Sequence, residues 1–343
     1  MFNYDDLSFA FSKPPSTGTI KVFPEDFKVN EILGFDLSGE GEHLFLNVEK
    51  KGLNTEELVR ALARALDKPE KSISYAGLKD RHALTTQWLC VHCLGENPPN
   101  IETLAGAGWR VVKAVRHLKK LKTGVLAANE FKLVLRELTQ KTDIDKRLLD
   151  IQSQGVPNYF GTQRFGFNGQ NLIKAEAMLL GGKKEKNRFL RGLYYSAARS
   201  FLFNLLLAER VKLANWSHAL DGDVMQLAGN NSVFTIATAD EVINERLASF
   251  DISPAAVLWG RGEERASLEA LALQERILHP FKEWCASLEQ HGLERAYRAL
   301  RLHPQEMNWH WQDEQTLELY FKLEAGSYAT SVIRELIILV EHE

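Results

Sequence analysis

Tyr75-Ala76-Gly77-Leu78-Lys79-Asp80-Arg81-His82-Ala83, followed by Thr86-Gln87-Trp88, stands between a helical and a strand pattern, and the reading of its surroundings sets the fold class. Upstream, Asn54 with Glu57 three residues on has the form of a capping box, Leu58, Leu62 and Leu66 recur at helical spacing, and Lys68-Pro69 supplies a stop. These signals predict a helix over residues 55–67. Downstream, residues 86–93 alternate as a strand, which leaves the nonapeptide in a loop held by regular elements, a common setting for chemistry. Farther out, residues 18–32 alternate on either side of a Pro24-Glu25-Asp26 interruption, residues 43–49 set Leu44, Leu46 and Val48 against Phe45, Asn47 and Glu49, and residues 131–135 form another strand pattern before a helix over 143–153.

At Gln154-Gly155-Val156-Pro157 the character changes. Helical patterns follow over 171–180, 194–211 and 268–288, with a strand-like stretch at 223–237. Near His303-Pro304 alternation returns, with Leu317, Leu319 and Phe321 against Glu318, Tyr320 and Lys322, and a closing helix is expected over 331–340. A chain of 343 residues exceeds a comfortable single core. The expected class is therefore α+β: a discontinuous domain made of residues 1–154 and 304–343, interrupted by a mainly helical domain over 155–303.

The composition, 45% hydrophobic and 25% charged, is that of a globular protein, and no apolar run approaches the roughly 20 residues of a membrane span. Without a secretory pattern at its start, the expected location is the cytoplasm. Cys90, Cys93 and Cys285 are too few and too scattered for a disulfide framework. Cys90-Val91-His92-Cys93 falls in a strand, where positions three apart face opposite ways, so no metal site is expected. Nucleotide-hydrolase, serine-hydrolase and zinc-protease signatures are missing, and Asp221-Gly222-Asp223 lacks the later ligands of a calcium loop and reads as a turn. The net charge of −3 is unevenly spread. Arg110, Lys113, Arg116, Lys119, Lys120 and Lys122 form a run without an acid, and eight cations between Arg164 and Arg199 face only Glu176 and Glu185. Such segregation suits a groove for a polyanion, and it equally suits solvated faces.

Asp80 lies between Lys79 and Arg81, cations that keep a carboxylate ionised for nucleophilic or basic work and that also occur around ordinary surface aspartates. Asn158-Tyr159-Phe160-Gly161-Thr162-Gln163-Arg164-Phe165-Gly166-Phe167 combines glycines, rings and polar ends. Phe160 and Phe165 suit a buried turn, while Gln163 and Arg164 suit hydrogen bonds to base edges or phosphates. Gly326-Ser327-Tyr328-Ala329-Thr330 reads first as a helix entrance capped by Ser327 or Thr330.

The 75–83 segment with Thr86-Gln87-Trp88 resembles the signature of the tRNA pseudouridine synthase D (TruD) family. Pro24-Glu25-Asp26-Phe27, Asn158 to Gly166 and Gly326 to Thr330 also resemble its motifs, in the family's order and across nearly the whole chain. The resemblance implies a pseudouridine-synthase catalytic domain with a mixed, mostly antiparallel sheet, interrupted by a domain particular to the family. It implies conversion of uridine 13 of tRNA to pseudouridine with no metal or organic cofactor. Asp80 then corresponds to the nucleophile, Lys21 to a basic residue beside it, Phe27 to the ring that packs on the target uracil, and Asn129 to a substrate-contacting amide. Tyr328 corresponds to another aromatic at the substrate, a position that can be phenylalanine in relatives, so the resemblance assigns its ring and not its hydroxyl. The expected partner is tRNA, with no membrane, no obligate protein partner and a monomeric state. The competing readings are a tRNA-binding chaperone on the same scaffold and a glycosidic-bond hydrolase acting on a small molecule.

Overall fold

The structure, a computed structural model, describes residues 4–95 and 99–340. Two compact units divide the chain. One, here the sheet unit, comprises Pro15–Asp143, Pro304–Gly326 and the chain from Ile337 on; the other, the helical unit, comprises the chain up to Pro14 with Ile144–His303 and Ser327–Leu336. The expected division at 154/155 and 303/304 groups the chain differently: the segment before Pro15 and Ser327–Leu336 pack with the helices, and most of the Lys141–Gln154 helix does too.

The sheet unit is built on a nine-stranded sheet among the described residues. Its order runs Gln305–Trp311, Leu317–Glu324, Leu126–Leu135, Phe27–Leu33, Leu84–His92, His43–Lys50, Trp109–His117 and Ala105–Gly106, with Ile73–Tyr75 also paired to Leu84–His92. Phe27–Leu33 and Leu84–His92 run parallel, and the other pairs are antiparallel, so the mixed, mostly antiparallel sheet is as expected. The Thr55–Ala65 helix begins at a capping box, Asn54 Oδ1 accepting from Glu57 N–H (2.8 Å) and Glu57 Oε2 from Asn54 N–H (2.7 Å). Leu58 and Leu62 on its inner face are fully buried with Leu44, Leu46, Val48, Leu89 and Val91. Each such leucine contributes about 2 kcal/mol of burial. The opposite sheet face buries Phe45, Trp88 and Cys90 with Leu121. Both faces are thus covered, which is why Phe45 is buried although its strand alternates. Cys90 and Cys93 belong to different cores, as the strand period requires, and none of the three cysteines forms a disulfide.

The helical unit is organised around the 25-residue helix Arg188–Lys212, which buries Tyr194, Ala197, Ala198, Phe201, Leu202 and Leu206 and packs against Gln170–Leu179, Ile252–Leu258 and Leu268–Leu278. A four-stranded antiparallel sheet, in the order Val233–Thr235, Val224–Leu227, Ile252–Leu258, Ala296–Ala299, completes it. Gly155 ends the Lys141–Gln154 helix at φ +75°, where an added Cβ would stand 2.6 Å from the Leu302 carbonyl oxygen. That close approach lets Val156–Pro157 pair with Arg301–Leu302.

Three expectations are corrected. The helix expected over 268–288 is two helices, Leu268–Leu278 and Lys282–Gln290, joined by one 3-10 turn His279–Phe281, because Pro280 removes a donor and crowds the preceding turn. The closing helix stops at Leu336, and Ile338–Leu339 instead pairs parallel with Thr17–Gly18. The strand-like 223–237 is a hairpin turning at Gly229, and its partner strand Ile252–Leu258 lies in a stretch for which no element is expected. No helix among the described residues is long and apolar enough to cross a membrane.

Candidate active site

The loop between Ile73–Tyr75 and Leu84–His92 carries Asp80, and the sheet unit holds it by main chain and side chain together. Lys79 N–H donates to Thr55 Oγ1 (2.9 Å), Lys50 Nζ donates to the Asp80 carbonyl (2.7 Å), and Gly52 N–H donates to the Arg81 carbonyl (3.2 Å). Thr55 Oγ1 in turn donates to Gln87 Oε1 (3.1 Å). Lys79 points its ammonium back to Glu31 Oε1 (2.6 Å), while Glu31 Oε2 accepts from Trp88 N–H (2.7 Å). Burial raises the Glu31 carboxyl, and the Lys79 charge opposes that rise. Lys79 is therefore committed to the sheet, and the cation serving Asp80 comes from elsewhere.

That cation is Lys21, whose Nζ pairs with Asp80 Oδ2. His82 N–H donates to Asp80 Oδ1 (3.0 Å), so both carboxyl oxygens are engaged. Burial acts to raise the Asp80 carboxyl, but the bonds from Lys21 and His82 outweigh it and hold the group below its ordinary value. Its side chain keeps 27% exposure, so an ionised oxygen is reachable from solvent. Lys21 adopts φ +58°, a left-handed conformation that costs a non-glycine residue about 1 kcal/mol. Its ammonium lies 4.4 Å from the centre of the Phe27 ring, which packs edge-on against Phe131. Phe27 follows the 3-10 turn Pro24–Asp26, where buried Asp26 accepts Phe23 N–H (3.0 Å) and both arms of Arg136 (2.9 and 2.7 Å). The Pro-Glu-Asp-Phe motif is thus a braced turn that fixes where Phe27 starts its strand.

Asn129 stands opposite Glu31 in the sheet, is buried, and has an Oδ1 with no hydrogen-bond partner. Lys21, Phe27 and Asp80 lie together in the sheet unit. Gln163, Arg164 and Tyr328 belong to the helical unit. There Arg164 Nη2 donates to Tyr328 Oη (2.7 Å) and Nη1 to Ser196 Oγ (3.0 Å), with the guanidinium 5.3 Å from the centre of Phe160. Gln163 is exposed on the one-turn helix Thr162–Phe165, and Phe165 and Phe160 are buried, as the motif suggested. Arg298 joins this cluster, its Nη2 donating to Asn158 Oδ1 (2.6 Å) and its guanidinium 4.2 Å from the centre of Phe160; burial pulls it down to about 10.

Sequence reasoning passed over Lys50 and Glu31. Lys50 is 1% exposed, donates to the Leu53 and Asp80 carbonyls (2.7 Å each), and burial pulls its ammonium down to about 8 against the opposing charge of Asp80. No periodicity signal marks a lysine at a strand end as buried.

The family model described as tRNA pseudouridine synthase D (TruD) matches residues 5–186 and 170–336. Two proteins named tRNA pseudouridine synthase D, from Legionella pneumophila strains Lens and Corby, are each 48% identical, over 329 and 333 residues. They cover 96% and 97% of this chain, which in turn spans 97% and 98% of theirs. A third of that name, from Hydrogenovibrio crunogenus, is 44% identical over 333 residues, covering 96% of this chain and 95% of its own length. The crystal structure described as the putative tRNA pseudouridine synthase D from Methanosarcina mazei superposes with a TM-score of 0.73 at 20% identity, over 98% of this chain and 96% of that one, and it speaks for the fold. By the family match and by these near full-length identities, this chain belongs to the tRNA pseudouridine synthase D (TruD) family.

Proposed function

We propose that this chain isomerises uridine 13 of tRNA to pseudouridine with Asp80 as its nucleophile. Membership of the family makes it a tRNA pseudouridine synthase, an isomerase. The observation that carries the choice of Asp80 is its ionised, partly exposed carboxylate, bound by Lys21 and by His82 N–H on a loop pinned at three successive residues. A carboxylate so held is a base or nucleophile and not a proton donor.

The reaction breaks the N1–C1′ bond, turns the uracil, and joins C5 to C1′; C5 loses a proton and N1 gains one, so no oxidant or reductant enters. Asp80 serves attack at C1′, attack at C6, or removal of the C2′ proton equally well. The target uridine leaves its stack at a cost of a few kcal/mol, which stacking on an aromatic ring partly offsets. Phe27, beneath Lys21, is the ring we assign to that contact, and Asn129, with its free buried acceptor, is suited to a uracil N–H. Gln163, Arg164 and Tyr328 are assigned to the RNA from the helical unit. The unit carrying Asp80 is the catalytic one, the helical unit is the family's own, and the protein acts as a cytoplasmic monomer on tRNA without cofactor.

The test is incubation with bulk unmodified tRNA, nothing added, followed by mapping of pseudouridine through chemical derivatisation. Product at one uridine is expected from the native chain. Asp80→Asn, nearly isosteric and uncharged, should fold and bind tRNA yet form no product. Substantial turnover by well-folded Asp80→Asn overturns the assignment, and tRNA binding with no product from the native chain favours the chaperone reading.

A further inference from the structure

We infer that Lys50 is a positioning residue for the reaction, holding the main chain of Asp80 so that its carboxylate meets the sugar or base in register. The inference rests on the reading of Asp80 above. Three consecutive residues, Lys79, Asp80 and Arg81, are each bonded through their main chain to one short segment: Thr55 Oγ1 takes the N–H of Lys79, Lys50 Nζ the carbonyl of Asp80, and Gly52 N–H the carbonyl of Arg81. Lys50 is the central one, and its buried side chain reaches the main chain of the residue that reacts.

The chemistry of the amine fits that role. Its two acceptors are main-chain carbonyls at 2.7 Å, and the second, Leu53, lies just before the Asn54 cap of the Thr55–Ala65 helix. One ammonium therefore ties the catalytic loop to the start of the Thr55–Ala65 helix. A buried charge is expensive without good hydrogen bonds, and burial lowers its proton affinity, with Asp80 and Glu57 opposing and Lys79 assisting that shift. On losing its proton the amine still has two N–H groups for two carbonyls. The anchor thus survives through neutral and mildly alkaline pH, whereas an apolar side chain of the same length would leave the Asp80 and Leu53 carbonyls unsatisfied and the loop free to shift. Misplacement of a reacting group by about 1 Å costs on the order of 100-fold in rate.

The experiment measures single-turnover rate constants with enzyme in saturating excess over unmodified tRNA, beside tRNA affinity and melting temperature, for the native chain, Lys50→Met and Asp80→Asn. Lys50→Met is expected to lower the rate constant by roughly 10- to 100-fold with tRNA affinity unchanged within about twofold. A role in stability alone would lower the melting temperature and the reacting fraction and leave the rate constant of the folded fraction intact, and that result overturns the inference. If Lys50→Met does not fold, Lys50→Gln, whose stem is one atom too short for its N–H groups to meet both the Leu53 and Asp80 carbonyls, is measured the same way, and a native rate constant there also overturns it. Turnover by Asp80→Asn would instead sink the reading of Asp80. An inert Asp80→Asn beside a fully active Lys50→Met sinks the inference about Lys50 alone.

Discussion

Lys21 acts on Asp80 in two ways that can be separated. Its ammonium lowers the carboxyl's proton affinity, and its own left-handed backbone and the Phe27 ring beneath it fix the direction from which it does so. Because the folded Asp80 sits below its ordinary value, its ionised form persists above the unfolded value and is lost only as pH falls through the lower folded one. Replacing Lys21 with methionine removes the larger of the two bonds that oppose burial, so the Asp80 carboxyl rises and the acidic limb of the pH–rate profile should move to higher pH. An unmoved acidic limb in active Lys21→Met would show that Asp80 does not set it. At this scale the sequence was informative where chemistry is local: Asp80 between Lys79 and Arg81 stood out. It was misleading about which cation matters, since Lys79 turns inward to Glu31 and the working partner lies 59 residues upstream. Only the family resemblance pointed to Lys21, because pairings closed by a sheet leave no mark in spacing.

Elements whose ends are written in side-chain hydrogen bonds were the most legible. The Thr55–Ala65 helix has its Asn54–Glu57 box and a leucine stripe, and the structure differs from the expectation only in the last turn. The Ile252–Leu258 strand escaped because Pro254, Ala255 and Ala256 break up its apolar alternation, and its pairing with Val224–Leu227 and Ala296–Ala299 is what makes it a strand. The Ala329–Leu336 helix shows the same limit from another side. Glu335, which reads as a polar surface residue, is 1% exposed, accepting Ala10 N–H (3.0 Å) and Phe11 N–H (3.4 Å) at Oε2 and Arg334 Nη1 (3.2 Å) at Oε1. Burial pushes its carboxyl up to about 7, against Arg334, those two N–H groups and Arg147. A folded value above the unfolded one of about 4.3 means that the folded chain holds a proton the unfolded chain has lost, so this contribution to stability is full below about 4.3 and is lost as pH rises through 7. Melting temperatures of native and Glu335→Gln protein between pH 5 and 8 should therefore diverge, the native falling relative to the variant as pH rises. Parallel curves would mean that Glu335 titrates alike in both states.

On the scale of the molecule, the two cationic runs turn out to be mixed. In the sheet unit Arg110 pairs with Glu49 (2.8 Å) and Arg116 Nη1 donates to the Gly41 and Cys93 carbonyls, whereas Lys119, Lys120 and Lys122 are exposed. In the helical unit Arg199 Nη2 is spent on the Leu258 and Glu294 carbonyls, whereas Lys183, Lys184, Lys186 and Arg188 are exposed. Part of each apparent polyanion field is thus structural, which charge counting has no means to see. Charge reversal at Lys119 and Lys120 should weaken tRNA binding and flatten its dependence on salt, by about 0.9 in the log–log slope for each phosphate no longer neutralised. Binding that stays the same at every salt concentration would make that run a solvated face. The chain's repeated passage between units has a different bearing. Leu317–Glu324 pairs along its whole length with Leu126–Leu135, and Ser327–Leu336 belongs with helices that begin near residue 144. Neither unit is complete until segments beyond residue 304 have left the ribosome. Long-range closures of this kind slow folding and leave bare strand edges exposed to other nascent chains meanwhile, so synthesis of this protein carries a demand for chaperone protection that a contiguous two-domain layout would avoid.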